Sequence, residues 1–212
     1  MIMNIVINDN LKNYGIISFW YFSYIENLNS ILTLGILSKN DIKRKKIPHY
    51  SFAEETVQER RYAKHIILTN KKNCTIHDVV PVYMTPKTPT LFARKKEQYR
   101  LFFARIQTGI IDDEGIAFAF TDGNAASKTT NFYSDLNQLP NIPWDVLNSA
   151  YWNDFDDGKR KRNSEFLIYP YIPIHRIWEL GVIHDDICYQ ARAIINQHNL
   201  KLPVNTRREW FF

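Results

Sequence analysis

Residues 159–169 read Lys-Arg-Lys-Arg-Asn-Ser-Glu-Phe-Leu-Ile-Tyr, a run of four cations followed by one carboxylate and an apolar segment. The segment 166–169 is short, contains aromatic and β-branched residues and is followed by a proline, so we predict a buried or half-buried strand. Glu165 then lies where this strand begins. A carboxylate there can stabilise a positively charged transition state while the neighbouring cations hold a polyanion. The alternative is that Glu165 only pairs with Arg160 or Arg162 on a solvated face.

The size and composition of the chain predict a single domain over residues 1–212. Of the 212 residues, 45% are hydrophobic and 14% are aromatic, while only 7 are glycine. Lysine and arginine exceed aspartate and glutamate by 27 to 22, and the resulting net charge of +5 favours a nucleic-acid partner. The many aromatic rings are suited to stacking on flat ligands.

Apolar segments with strand character alternate with segments of helical spacing. The further predicted strands are 16–22, 78–84, 100–106, 115–120 and 176–182. The predicted helices are 23–35, 54–64, 144–152 and 187–195. In the first helix, Ser23 is a candidate cap and Gly35 a candidate left-handed stop. Residues 101–104 are almost continuously apolar, which is typical of a strand covered on both faces.

Several kinds of site lack their usual residues. The six histidines and two cysteines form no zinc-binding pattern, and no Walker-type loop, Gly-x-Gly-x-x-Gly motif or Gly-x-Ser-x-Gly motif is present. We therefore expect no metal. Cys74 and Cys188 are far apart in sequence, and neither a signal peptide nor an apolar run of membrane-spanning length is visible. A soluble protein of the reducing cytoplasm, without membrane contact, is the expectation.

Some polar residues have two interpretations. The basic blocks 43–46 and 94–96 are solvated charge runs or phosphate contacts. Asn27 satisfies backbone groups near a helix start or meets a ligand in a cleft. Arg60 and Arg61 are adjacent, so on a helix they face different directions and one of them can enter a pocket. The small residues of 121–127 permit a close approach of backbone to ligand or begin a helix.

Several ordered segments together resemble the DarT family, toxins of bacterial toxin–antitoxin systems that ADP-ribosylate bases in single-stranded DNA. They include Gln-Glu-Arg-Arg at 58–61 and Ser-Glu-Phe-Leu-Ile at 164–168. The other segments are 21–37, 78–83, 86–91, 120–122, 149–152 and the terminal run 207–212. The similarity extends over nearly the whole chain, and no single motif carries it.

The resemblance implies an α+β ADP-ribosyltransferase-like fold, with central β-sheets that form an NAD cleft and flanking helices. Glu165 matches the family's catalytic glutamate, and Arg61 matches an arginine of its active site that assists catalysis and cofactor binding. Ser23 and Asn27 fall where the family's first strand and helix contact NAD. Tyr21 occupies a cofactor-binding position at which family members commonly carry histidine, and its phenol can still donate a hydrogen bond.

The family's substrate-recognition loop corresponds to the basic run before the catalytic glutamate. The residues expected to bind DNA are Lys159, Arg160, Lys161, Arg162 and, from the second basic block, Arg94. The implied reaction transfers ADP-ribose from NAD to thymine or guanine in single-stranded DNA and releases nicotinamide. A cognate antitoxin that removes ADP-ribose and a monomeric protein are also expected.

Two alternatives accompany this interpretation. The chain is then either an inactive single-strand-binding module of the same fold, for which Tyr21 in place of histidine is the support, or an RNA ADP-ribosyltransferase. Titration with NAD distinguishes the first alternative from the enzyme, because a binding module has no need of NAD. Comparing the labelling of single-stranded DNA with that of RNA tests the second.

Overall fold

The structure is a computed structural model that describes residues 5–51 and 64–212. Its centre is a large, mostly antiparallel β-sheet. The strands are β1 Ser18–Tyr24, β2 Ile36–Leu37, β3 His65–Ile67, β4 Asn73–Thr75, β5 Val80–Tyr83, β6 Leu101–Gln107, β7 Ala117–Thr121, β8 Phe132–Tyr133, β9 Glu165–Tyr169, β10 Tyr171–Ile172, β11 Ile177–Val182 and β12 Val204–Thr206. The α-helices are α1 Asp9–Lys12, α2 Leu28–Leu34, α3 Lys39–Arg44, α4 Pro89–Phe92, α5 Trp144–Asn148, α6 Gly158–Lys161 and α7 Asp185–Gln197.

The main sheet has eight strands in the order β12-β11-β6-β1-β5-β9-β7-β8. Its neighbours pair antiparallel, except that β11 and β12 are parallel. Two small sheets, β10-β2 and β3-β4, lie outside it. The strands predicted from 16–22, 78–84, 100–106, 115–120, 166–169 and 176–182 are all confirmed, with small shifts at their ends.

Both faces of the sheet are buried. On one face Phe19, Phe102 and Phe166 join a large apolar cluster that includes side chains of α2 and α7. On the other face Phe103 packs in a second cluster with Trp210 near the end of the chain. This two-sided cover confirms the prediction for residues 101–104, each of which has 0% of its surface exposed. The resulting mixed α+β architecture is the predicted fold class.

The helix predicted at 23–35 begins later in the structure than expected. Ser23 caps no helix, because it lies within β1; a 3-10 turn, Ile25–Asn27, follows, and only then does α2 begin. Gly35 does end α2 with a positive φ of +78°, but its ψ of −176° is extended, so it is not the left-handed helical stop that was predicted. The predicted helix 54–64 falls on residues 52–63, which lie outside the described part of the chain, save for its last residue.

The helix predicted at 144–152 is wrong beyond Asn148, where α5 ends. The carbonyls of Val146 and Leu147, which a longer helix would use, instead accept hydrogen bonds from Nη1 of Arg162 at 2.7 and 2.9 Å. Tyr151 consequently lies 71% exposed on the surface rather than in the core. The closing helix predicted at 187–195 is confirmed within α7.

Among the described residues, we found no helix with the length and apolar character needed to cross a lipid bilayer. The same part of the chain contains no group of three or more His, Cys, Asp or Glu side chains arranged to hold a metal ion.

Candidate active site

A cleft opens in the main sheet where β1 and β5 separate. The two strands are in register at Trp20 and Tyr83, and beyond this pair a cavity of about 720 Å³ lies between them. Tyr21 and Ser23 of β1 and Pro81 of β5 line it. A proline has no N–H to give to a neighbouring strand, so it is tolerated where a strand lacks a partner on one side. The sheet itself therefore provides the floor of a binding site.

Every charged side chain among the described residues that line the cavity is a cation. Lys39 and Lys43 are four residues apart in α3, so they share one side of the helix, and Lys46, two residues after its end, lines the cavity with them. Arg94 and Lys159 reach the cavity from other parts of the chain. Cations that converge on a partly apolar cleft raise the local concentration of anionic ligands, phosphates above all.

Asp78 attaches α3 to the segment 76–79, from which Ile76, His77 and Val79 line the cavity. Its Oδ1 accepts from Nδ2 of Asn40 at 2.7 Å, and its Oδ2 accepts from the N–H and the hydroxyl of Thr75, both at 2.8 Å. Burial acts to raise the pKa of Asp78, but the hydrogen bonds from Asn40 and Thr75 outweigh it and hold the pKa below its ordinary value. A charged Asp78 thus fixes the position of α3 at neutral pH.

Tyr21 presents a neutral phenol to the cavity. Its side chain is half-buried, and burial raises the pKa of Tyr21, with a hydrogen bond to Ser23 acting in the opposite direction. The phenol therefore stays protonated at neutral pH and can donate a hydrogen bond to an oxygen of a ligand. Ser23, beside it on β1, is 2% exposed.

Asn27 lies behind the lining and organises it. It is 1% exposed, and its Nδ2 donates both to Oγ of Ser23 at 2.9 Å and to the carbonyl of Tyr50 at 2.8 Å. Its Oδ1 accepts from the N–H of Tyr50 at 2.9 Å. Ser23 and Tyr50 both line the cavity. Of the two interpretations of Asn27 from sequence, the structure favours the one in which it satisfies backbone groups, although these belong to Tyr50 and not to a helix start.

Glu165 lies at the beginning of β9, as predicted, and is 1% exposed. Its main chain is fixed by Thr121, whose Oγ1 accepts from the Glu165 N–H at 2.9 Å and donates to the Gly123 carbonyl at 2.7 Å. The side-chain Oε1 accepts from the N–H of Ala125 at 3.2 Å. One oxygen of the carboxylate is therefore bound by the segment 121–125, whose small residues allow this close approach.

Glu165 adjoins the cavity without being part of its lining. Its register partner on β5 is Tyr83, which lines the cavity. Asn163, two residues before it, and Asn124, next to the Ala125 donor, line the cavity as well. The structure thus brings the sheet cleft, the cations and the carboxylate into one region of the protein.

The side chains of the basic run 159–162 point in different directions, because α6 is helical and consecutive side chains lie about 100° apart around its axis. Lys159 is exposed and lines the cavity, and Lys161 is half-buried. Arg160 pairs with Asp122 at 2.8 Å and also with Asp157. The expectation that the whole run is presented to DNA therefore needs correction at Arg160, whose guanidinium is engaged with two carboxylates.

Arg162 departs further from the expectation. It is 5% exposed, and its guanidinium donates to the carbonyls of Lys87, Val146, Leu147 and Ser149 at 2.7–2.9 Å. Burial lowers the pKa of Arg162, although arginine remains charged. Arg162 therefore holds two chain segments together inside the protein. Neither Arg160 nor Arg162 makes the surface ion pair with Glu165 that was the alternative from sequence, because both bind other groups.

Some residues of the cavity were missed from the sequence. Lys39 had a usable signal, since it precedes Lys43 and Lys46 at helical spacing. His77 and Asn163 reach the cavity only through tertiary folding, and no pattern in the sequence marks them. Arg61, predicted at the active site, lies outside the described residues.

Comparisons with known proteins identify the family to which the chain belongs. The family model described as "ssDNA thymidine ADP-ribosyltransferase, DarT" matches residues 20–212. A DNA ADP-ribosyl transferase from Thermus sp. (strain 2.9) is 26% identical over 203 residues, which cover 91% of this chain and 95% of that protein. A fusion of DNA ADP-ribosyl transferase with DNA ADP-ribosyl glycohydrolase from Thermosipho africanus is 26% identical, covering 91% of this chain and 49% of the fusion protein.

Solved structures of Thermus sp. 2.9 DarT share the fold. The complex with ADP-ribosylated single-stranded DNA superimposes with a TM-score of 0.83 at 24% identity, covering 93% of this chain and 97% of the other. The complex with NAD+ gives 0.78 at 21% identity, covering 93% and 98%. Because the family model matches far more than half of the residues, the chain belongs to the DarT family of single-stranded-DNA ADP-ribosyltransferases.

Proposed function

We propose that this protein transfers ADP-ribose from NAD to a nucleobase in single-stranded DNA and releases nicotinamide. The observation that carries the proposal is the cation-lined cleft between β1 and β5 with the oriented carboxylate of Glu165 beside it. Thermus relatives with this fold have been solved with NAD+ and with ADP-ribosylated single-stranded DNA, which supports the same pair of substrates here.

The residues of the cleft fit NAD as a co-substrate. Lys39 and Lys43 of α3, together with Lys46 after it, would hold its diphosphate, because ammonium groups bind phosphate through charge-assisted hydrogen bonds. The neutral phenol of Tyr21 and the hydroxyl of Ser23 would bind ribose or amide oxygens. Asn27 would keep Ser23 and Tyr50 in place. Bound NAD supplies a glycosidic bond whose cleavage develops positive charge on the ribose.

Glu165 would act in two ways. Its carboxylate would stabilise the developing positive charge, and this effect is strong because the side chain is nearly excluded from water. It would also accept the proton from the attacking nitrogen of the base. The hydrogen bond from Ala125 would hold the carboxylate in position, so that little reorganisation is needed during the reaction. Arg61 would assist by binding a phosphate or the base.

DNA would enter from the side of Lys159 and Arg94, which line the cavity and can neutralise backbone phosphates. The description of the matched family favours thymine as the acceptor, with guanine as the second possibility. Mass spectrometry of the nucleosides after reaction with a mixed-sequence oligonucleotide would identify the modified base. Parallel labelling of RNA would test the alternative substrate.

The decisive experiment uses NAD labelled in its adenylate part, a mixed-sequence single strand and the matched variants Glu165→Ala and Glu165→Gln. We expect the natural protein to label DNA, both variants to lose transfer by at least about a hundredfold, and DNA binding to persist. Transfer of label by Glu165→Ala at the natural rate would contradict the role of Glu165. Absence of labelling and of NAD binding in the natural protein would favour a binding module instead.

The biological setting follows from the same reaction. Bases that carry ADP-ribose would obstruct the copying of DNA, so we propose that the protein is a toxin. We also propose that it acts as a monomer in the cytoplasm. The relative fused to a DNA ADP-ribosyl glycohydrolase supports a partner antitoxin that removes ADP-ribose. Expression with and without such a glycohydrolase would test toxicity, and light scattering after gel filtration would test the monomer.

A further inference from the structure

Three aromatic rings form a cluster on the surface outside the cleft. The ring centroids of Phe92 and Phe212 are 5.2 Å apart, those of Trp152 and Phe212 are 5.8 Å apart, and those of Phe92 and Trp152 are 5.9 Å apart. All three pairs meet edge to face, with interplanar angles of 85°, 88° and 72°. Phe92 is 48% exposed, and the other two rings are half-buried. Apolar area is therefore left in water here.

The cluster, Phe92–Trp152–Phe212, is continuous with the cleft. Phe92 ends α4, whose first two residues, Pro89 and Thr90, line the cavity. Arg94, two residues after Phe92, lines the cavity as well. A strand of nucleotides with one base in the cleft would therefore pass over or beside the exposed ring of Phe92.

The charges around the cluster suit a polyanion on one side. Lys95 Nζ lies 5.9 Å from the ring centroid of Phe92, and Lys87 Nζ lies 5.8 Å from that of Phe212. Asp154 and Asp156 follow Trp152 closely in the chain and are exposed. Phosphates would be attracted to the two lysines beside the rings and repelled by these carboxylates.

The cluster is held by buried contacts. Arg162 bonds the carbonyl of Lys87 at 2.9 Å and that of Ser149 at 2.8 Å, so it joins the segments that lead to Phe92 and to Trp152. Trp152 also packs tightly on the start of α6, because a Cβ at Gly158 would lie 1.8 Å from the Trp152 carbonyl oxygen. A platform that is rigid before the ligand arrives loses little entropy on binding.

We propose that the Phe92–Trp152–Phe212 cluster is a stacking subsite for a nucleotide that flanks the modified base in single-stranded DNA. Exposed aromatic rings beside a cationic track are the combination by which proteins bind single strands, since every base has a flat face that can stack. The subsite rests on the proposed function, because it would raise the affinity of the same transfer reaction for strands long enough to reach the cluster. The nucleotide stacks on the exposed Phe92, while the lysines hold the adjoining phosphates.

The test compares Phe92→Ala and Trp152→Ala with Tyr189→Ala, a control that removes a 67% exposed ring from α7. The substrates are one oligonucleotide that the natural protein modifies and two copies with abasic sites on its 5′ or its 3′ flank. An abasic site removes the stacking base and keeps the phosphate. We expect Phe92→Ala and Trp152→Ala to lower kcat/KM about tenfold on the intact strand, while Tyr189→Ala changes nothing.

The abasic strands decide whether stacking is the cause. On the copy that lacks the stacked base, we expect the natural protein and Phe92→Ala to react at equal, reduced rates, with KM for NAD unchanged throughout. Natural rates for Phe92→Ala on the intact strand, or an equal loss on all three strands, would overturn the subsite while the transfer activity stands. No transfer by the natural protein to any strand would overturn the proposed function and the subsite with it.

Discussion

Asn27 binds the peptide group of Tyr50 through both ends of its side-chain amide, with Nδ2 2.8 Å from the Tyr50 carbonyl oxygen and Oδ1 2.9 Å from the Tyr50 nitrogen. The same Nδ2 donates to Oγ of Ser23 at 2.9 Å. One buried amide thus connects β1 to the segment that follows α3. Since both partners of Asn27 line the cavity, this amide fixes two parts of the lining relative to each other.

We expect Asn27→Asp to damage the cleft more than the near-identical shape of the side chains suggests. The aspartate keeps an acceptor for the Tyr50 N–H but faces the Tyr50 carbonyl and Ser23 without the two donated hydrogen bonds. Loss of buried partners costs on the order of 1–3 kcal/mol, so KM for NAD should rise about tenfold or more, with a smaller change in kcat. Steady-state kinetics with varied NAD measures this split.

The control for Asn27 is Asn196→Asp, the same exchange at an exposed position of α7. It should leave both kinetic constants unchanged. A fall in kcat for Asn27→Asp without a change in KM would contradict a role in shaping the cleft and would favour direct contact with the reacting atoms.

Two exposed lysines at α3 should differ in their effect on NAD binding, because only one of them faces the cavity. Lys43 lines the cavity, whereas Lys45 belongs to the same basic block and does not. Lys43→Gln should raise KM for NAD about fivefold at low salt, because a charge-assisted contact to phosphate is lost and the loss is partly screened by water. Lys45→Gln should have no effect. Both variants change the net charge equally, so equal kinetics would show that only overall charge matters.

The strand pattern was largely predictable because it depends on local properties. Residues 166–169 are β-branched and aromatic and end at a proline, and they form β9 as expected. Residues 101–104 are apolar without alternation, and the strand is covered on both faces. The position of Glu165 at the start of β9 follows from the same pattern. Its pairing with Tyr83 of the neighbouring strand β5 could not be predicted in this way, because the register between strands distant in sequence is set by tertiary pairing.

The roles of the individual cations were not predictable. Lys159 and Arg162 stand three residues apart in one basic run, yet Lys159 is exposed at the cavity and Arg162 is buried. Arg162 is held by four carbonyls from two distant segments, and the sequence of the basic run does not indicate these contacts. The hydrogen bonds to two of them, Val146 and Leu147, explain why the apolar spacing of 144–152 failed as a helix prediction. Long-range polar contacts overrode local periodicity in both cases.

This contrast predicts opposite phenotypes for two substitutions in one run. Arg162→Met should lower the free energy of unfolding by about 3 kcal/mol, because several buried carbonyls lose their donor. Lys159→Ala should change the stability by no more than about 0.5 kcal/mol but should weaken oligonucleotide binding and reduce its dependence on salt. Urea unfolding and binding titrations at several salt concentrations measure both quantities. A stable Arg162→Met protein with weakened DNA binding would contradict the structural role of Arg162.

Tyr24 predicts how stability depends on alkaline pH. Its side chain is buried, and its hydroxyl donates a hydrogen bond to Glu97. Burial first, and then the hydrogen bond and negative charge of Glu97, raise the pKa of Tyr24 to about 12, while Arg94 and Arg100 act in the opposite direction. The folded protein therefore favours the neutral phenol more strongly than the unfolded chain does, whose tyrosine titrates near its ordinary value of 10.0.

The sign of the effect follows from proton binding. Between pH 10 and about 12 the folded state retains the proton of Tyr24 while the unfolded chain has released it, so stability falls as the pH rises. The contribution of Tyr24 is complete below pH 10 and is lost over this interval. Tyr24→Phe has no proton to lose, so it should be less stable than the natural protein at pH 8 and should approach it at pH 12. Urea unfolding of the two proteins across this range measures the difference, in which the other titrating groups cancel. Parallel stability curves would show that Tyr24 titrates normally in the folded protein and that its hydrogen bond to Glu97 does not discriminate between the two protonation states.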